Sequence, residues 1–199
     1  MFKQIFEIFK SDSLYEQALL ECHEMLEIDR EMFNESIKSL RSSDTAEIPI
    51  DIYAMDKKIN EFERDVRRKV MTHLAVGGKD DIGSGLILVS VVIDIERIGD
   101  YTKNIYDLAV QHPKKLSAGN FEKKLADMEK ATVEFLNKAI DTFKSQDIDL
   151  ARKLMIEYKT DISSTSNDIV NSIVSGTSND LSPELAGSLC LYARYLKRI

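Results

Sequence analysis

The chain has 199 residues, 43% hydrophobic and 31% charged, with a formal net charge of −7. That acidic balance argues against non-specific nucleic-acid binding, which needs a basic surface to displace counterions, and opposes adsorption to an anionic membrane. With only eight glycines and three prolines, there is little material for turns, and long helices are expected.

Cys22 and Cys190 lie far apart in apolar helical contexts and read as reduced core thiols of a cytoplasmic protein. No apolar run approaches the ~20 residues of a membrane span. The first ten residues lack a signal peptide's continuous apolar core, because Glu7 interrupts it.

Phe2, Ile5, Phe6 and Phe9 have helical spacing, which makes residues 1–13 a short amphipathic segment expected to dock on the body or lie on a membrane. Ser11-Asp12-Ser13 supplies a cap for a helix over 14–41. Its apolar residues Leu19, Cys22, Leu26, Phe33, Ile37 and Leu40 keep a helical period with a drift. A second helix, over 49–76, opens on Pro49 and carries the stripe Tyr53, Ile59, Phe62, Val66, Val70 and Leu74. Gly77-Gly78 ends it; Asp80-Asp81 opens a third helix that runs to His112, where Pro113 stops it. The glycines of 77–85 are not followed by a Lys-Ser/Thr pair and follow no strand, so they read as a connection and not a phosphate cradle. Three further helices are predicted over 120–145, 149–174 and 183–199.

Their order and lengths repeat the first three. Phe33-Asn34, Ile37, Leu40, Ser42 and Asp44 reappear 103 positions later as Leu136-Asn137, Ile140, Phe143, Ser145 and Asp147. At the same offset Ile59, Asp65, Val66 and Val70 become Ile162, Asp168, Ile169 and Ile173. The offset shortens to 101 at the end, where Ile95-Glu96-Arg97-Ile98 matches Leu196-Lys197-Arg198-Ile199. The expected fold is all-α, two tandem three-helix bundles over 14–113 and 119–199.

The most apolar run, 86–92, leads into V-V-I-D-I-E-R-I-G-D-Y-T-K-N-I over 91–105, where Asp94, Glu96 and Asp100 interrupt an otherwise core-like pattern. Carboxylates are seldom buried unless paired or metal-bound. Glu96 and Asp100 share one helix face, as do Asp56, Asn60 and Glu63 on the second helix. Antiparallel packing would bring these oxygen donors together, in the manner of metal sites built between facing helices. An all-oxygen set suits a hard cation or carboxylate-held iron; from spacing alone a solvated acidic face is the favoured reading. Arg97 reads as an ion-pair partner of these acids, and Gly99 as a point of close helix approach. Met25, Met32, Met55, Met71, Met128 and Met155 read as core or groove fillers, and the polar run 163–168 as a solvated face or a partner surface. No His lies three residues after a Glu, so the Glu-x-x-His of di-iron oxidases is missing.

The segment D-I-E-R-I-G-D-Y-T-K-N-I resembles the E-R-I-G-D signature of the PhoU family, regulators of bacterial and archaeal phosphate uptake. M-D-K-K-I-N-E-F-E, over 55–63, resembles the D-x-x-x-D segment that precedes it. The resemblance implies paired three-helix bundles over nearly the whole chain and metal clusters, often iron, held by the acidic motifs. Carried over, Glu96 and Asp100 fill one pair, Asp56 opens the other, Asn60 replaces its second carboxylate, and Glu63 is a further acid of the pattern. The metal would be iron or a divalent cation such as Mg, Mn, Ca or Zn. The implied role is a non-enzymatic, metal-binding adaptor in the cytoplasm, peripheral at the inner face of the membrane. Its partner would be a phosphate-specific transporter, a sodium–phosphate symporter or a phosphate sensor kinase; homodimerisation is left open. A carboxylate-bridged hydrolase and a purely structural helical module are the alternatives.

The second repeat departs from the motif. Asp56 maps to Lys159, Asn60 to Ser163, Glu63 to Ser166 and Glu96 to Lys197, and the chain stops before a counterpart of Asp100. A second metal site is not expected there, and the ending within the motif reads as a truncation, natural or artificial.

Overall fold

Stretches free of proline, with apolar residues three and four apart, fold as helices that bury one stripe each. A computed structural model describes residues 11–76, 82–112, 114–177 and 181–199. The amphipathic segment 1–10, Gly77-Gly78, Asp80-Asp81 and Pro113 lie outside the described residues. Among the described residues there is no strand. The helices are α1 (Ser11–Ser42), α2 (Ile52–Val76), α3 (Ile82–Gln111), α4 (Glu122–Ser145), α5 (Ile148–Tyr158), α6 (Ser164–Val174) and α7 (Pro183–Arg198). A 3-10 turn, Gly119–Phe121, leads into α4, and a π turn, Lys159–Ser163, joins α5 to α6.

Three boundaries differ from expectation for local reasons. Ser11–Ser13 are already helical, so they do not form the cap outside α1. Pro49 stays in the connection, and α2 starts three residues later, where Asp51 Oδ1 accepts the Ala54 amide at 3.0 Å as an N-cap does. The single helix expected over 149–174 begins at Ile148, capped by Asp147 Oδ1 on the Leu150 amide at 2.9 Å, and runs on to Val174 through the π turn. Hydroxyls there turn back on the backbone: Thr160 bonds Glu157 O at 2.9 Å and Thr165 bonds Asp161 O at 2.8 Å, a habit that bends helices.

α1, α2 and α3 pack on one another, as do α4 with α5 and α6 with α7, which gives the two-bundle architecture expected. The first core holds Cys22, Met25, Phe33, Ile59, Val66, Val70 and Val92, and the second Leu125, Met128, Ile140, Ile169 and Leu189, all under 2% exposed. Each such large side chain contributes roughly 1.5–3 kcal/mol by leaving water. Tyr53 departs from the predicted stripe, being 53% exposed, and Met71, at 62%, departs from the core or groove reading; Met155, at 68%, lines a groove with Phe135, Tyr158 and Ile162. Leu86 and Ile87 also face outward, at 58% and 66%. Of the polar run 163–168, Ser166 is buried and donates to Ala193 O at 2.8 Å. Part of that run is therefore an α6–α7 contact.

The repeats meet through equivalent helices, α1 on α4 and α3 on α7. Arg41 fastens the join. Its Nε lies 2.7 Å from Glu129 Oε1, its guanidinium also bonds Glu122 and Leu116 O, and Tyr192 donates to Glu129 Oε1 at 2.8 Å. Burial pushes the Glu129 carboxyl up, against Arg41 and Tyr192, which pull it down. Removing one partner of such a pair strands the other. Arg41→Met is therefore expected to lower unfolding free energy by about 3 kcal/mol and Tyr192→Phe by about 1 kcal/mol, read by urea denaturation; an unchanged Arg41→Met protein would contradict the clamp.

Candidate functional site

α2 and α3 present their acids to a common seam, and α1 closes it from beneath. Asp56 is 16% exposed at its side chain and Asp100 45%; Lys103 lies between them, with Nζ 2.8 Å from Asp56 Oδ1 and 2.9 Å from Asp100 Oδ1. Asn60 turns back on its own helix, its amide donating to Asp56 O at 2.9 Å. Glu63, 15% exposed, pairs with Arg67 at 2.8 Å. Glu96 is half-buried; burial pushes its carboxyl up, followed by the charges of Asp100, Glu63 and Asp56, and Lys103 opposes them.

Two members were not anticipated. Asp29, on α1, is fully buried with neither carboxylate oxygen hydrogen-bonded. Burial first, then the charges of Glu96 and Asp56, push its carboxyl well above the ordinary range. Lys103 is the other. It takes the counter-ion role expected of Arg97, which instead pairs with Asp94 at 3.0 Å on the open surface. Asp94 is 71% exposed, so it stands outside the seam.

Gly99 explains how Asp29 fits. A Cβ at this position would stand 2.9 Å from Ile59 Cδ1 and 3.0 Å from Asp29 Oδ1. The missing side chain lets α3 close over both, the approach expected of that glycine.

For a cation the donor set is right in type and charge, all hard oxygens with acid in excess. The orphaned oxygens of Asp29 mark unmet hydrogen-bonding capacity, and the Lys103 ammonium already holds a cation's place between Asp56 and Asp100. Among the described residues, no three Asp, Glu, His or Cys side chains converge as a coordination shell. Holding a metal thus requires the acids to turn inward and the ammonium to leave. The second repeat has a different local structure where the motif would be: the π turn Lys159–Ser163 spans the counterparts of Asp56 and Asn60. Lys197, the counterpart of Glu96, reaches Asn167 Oδ1 at 3.1 Å.

This geometry can be set beside that of known proteins. Residues 22–109, which contain the whole seam, match the PhoU domain. Over that stretch the chain is similar to the PhoU domain family. Its fold is that of the phosphate transport system regulatory protein PhoU from Streptococcus pneumoniae, at TM-score 0.81 and 17% identity over 95% of this chain and 89% of that one. It is equally similar to PhoU from Pseudomonas aeruginosa, at TM-score 0.82 and 19% identity over 94% and 90%. No curated protein matches the sequence.

The glycine and the buried acid give two expectations. Gly99→Ala gains up to ~1 kcal/mol in helix propensity but meets overpacking of ~1–3 kcal/mol, so a net loss is expected in urea unfolding. Gly187→Ala in α7, where an added Cβ meets nothing within 4 Å, should instead stabilise; equal effects at both positions would contradict the close approach. An acid whose folded-state pKa is raised holds its proton longer when folded, so its contribution to stability falls as pH rises past its unfolded value of about 4. Asp29→Asn should therefore gain on wild type progressively above that pH in metal-free buffer; parallel stability–pH curves would contradict the buried-charge account.

Proposed function

We propose that this chain is a PhoU-like regulator of phosphate transport, acting as a cation-responsive adaptor without catalysis of its own. The observation that carries the reading is the PhoU domain match over 22–109, set in a fold shared along nearly the full length with a phosphate transport system regulatory protein, PhoU of Streptococcus pneumoniae, and with PhoU of Pseudomonas aeruginosa. The acids of the seam are engaged with charges and with one another: Asp56 and Asp100 with Lys103, Glu63 with Arg67. Asp29 is shut away from solvent. That arrangement suits holding a charge better than moving a proton to or from a substrate.

Asp56, Glu63, Glu96 and Asp100, with the carbonyl oxygen of Asn60, would hold iron or a divalent cation such as Mg, Mn, Ca or Zn. Bound there, the cation supplies the positive charge that the seam lacks and ties α2 to α3. The chain's own residues set the rest: α1 fixes Asp29 below, and Gly99 fixes the depth of α3. No described helix is long and apolar enough to cross a membrane. On this reading helix faces carry the contact with a phosphate-specific transporter, a sodium–phosphate symporter or a phosphate sensor kinase at the cytoplasmic face of the membrane.

The test is affinity capture of the tagged full chain from solubilised membranes of cells grown with and without phosphate. A phosphate transporter or its sensor kinase should co-purify, in amounts that change with phosphate supply. Neither partner in either condition would overturn the adaptor reading. So would metal-dependent phosphoester hydrolysis that disappears in the double variant Glu96→Ala, Asp100→Ala, which would assign the chain to a hydrolase class.

A further inference from the structure

We propose that Lys103 is a tethered counter-ion that competes with a bound cation for Asp56 and Asp100, so that loading the seam expels its ammonium. The inference rests on the reading of the seam as a cation site and goes beyond it to how that site is controlled.

Lys103 Nζ stands 2.8 Å from Asp56 Oδ1 and 2.9 Å from Asp100 Oδ1, bridging the two helices. Hard cations of the relevant size bind carboxylate oxygens at about 2.0–2.6 Å, so one held by these same two atoms would overlap the ammonium. The two occupants exclude each other. A single lysine also leaves the seam short of positive charge. Glu63 has its own partner in Arg67, but Glu96 lies among Asp100, Glu63 and Asp56. Beneath them Asp29 is wholly buried with both oxygens unpartnered, its Oδ1 facing Gly99 between the two motif acids. Those unpartnered oxygens are donors that a cation of several ligands can use and that a single ammonium leaves unmet.

Lys103 has the means to leave. Its side chain is 23% exposed on a flexible four-carbon stem, and one turn further along α3 lies Asp107, which accepts Tyr53 Oη at 2.6 Å. Residues four apart share a helix face, so Asp107 is the acid on which a displaced ammonium settles. Cation loading thus moves a positive charge along the exposed α2–α3 face.

The experiment is isothermal titration of Mn2+ into chelator-treated wild type, Lys103→Met, Asp29→Asn and Asp100→Asn, all full-length and checked for helicity by circular dichroism. Lys103→Met should bind about tenfold or more tightly than wild type, since the charge-assisted bonds to be broken are gone. Asp29→Asn should bind several-fold more weakly, and Asp100→Asn should lose binding. Wild type that binds as tightly as Lys103→Met overturns the competition while leaving the cation site standing. No binding by either protein overturns the site itself and the competition with it. Unchanged affinity in Asp29→Asn overturns the part given to the buried acid. If Lys103→Met does not fold without metal, Mn2+ should restore its helicity, and failure to do so counts against the proposal.

Discussion

A carboxyl group sealed in the interior with no hydrogen-bond partner is costly to keep, and it avoids the larger cost of a buried charge by holding its proton. Asp29 is such a group, and the three-helix seam is arranged around it. Gly99 lacks a side chain where Asp29 Oδ1 comes closest. Lys103 reaches across from α3 to Asp56, neutralising part of the acid that surrounds the buried one. A sequence selected for stability alone would place an apolar residue at 29.

The same logic separates the two repeats. They share helix order and pack through equivalent helices, yet only the first keeps the acids. In the second, Lys159 and Lys197 stand at the counterparts of Asp56 and Glu96, and the backbone over Lys159–Ser163 adopts a π turn. π turns inside helices often accompany functional positions, but here the turn falls where the motif has been lost. The second bundle still packs a dry core around Leu125, Ile140, Ile169 and Leu189. A bundle of this repeat can therefore pack without the acids. The Arg41 clamp, in turn, couples the acid-bearing bundle to its partner through Glu129 and Tyr192.

Most of the fold was legible because helical periodicity survives in all the long segments, and because the 103-residue repeat constrains the second half by the first. The acidic motif was legible too, as carboxylates set in an apolar run and as the resemblance carried by E-R-I-G-D. The errors have physical causes. Pro49 is compatible with a first helical turn, but Asp51 offers the better cap. The π turn follows from hydroxyl back-bonding that leaves no trace in hydrophobic spacing. Arg97 was favoured as counter-ion because it adjoins Glu96, although neighbours in sequence point to different helix faces; Lys103, three residues past Asp100, shares its face. Asp29 had a signal that went unread. Cys22, Leu26, Asp29, Phe33, Ser36 and Leu40 alternate at four and three, so Asp29 and Ser36 sit at core positions, and both are 0% exposed. The drift in the α1 stripe was this heptad with two polar members.

The central claim is that one position between Asp56 and Asp100 is held either by Lys103 or by a metal ion. Anomalous diffraction from crystals grown with Mn2+ tests it most directly. The account predicts a manganese peak between these two carboxylates, near Glu96, with the Lys103 side chain turned away from both. Manganese bound elsewhere, with both Lys103 bonds intact, would contradict it.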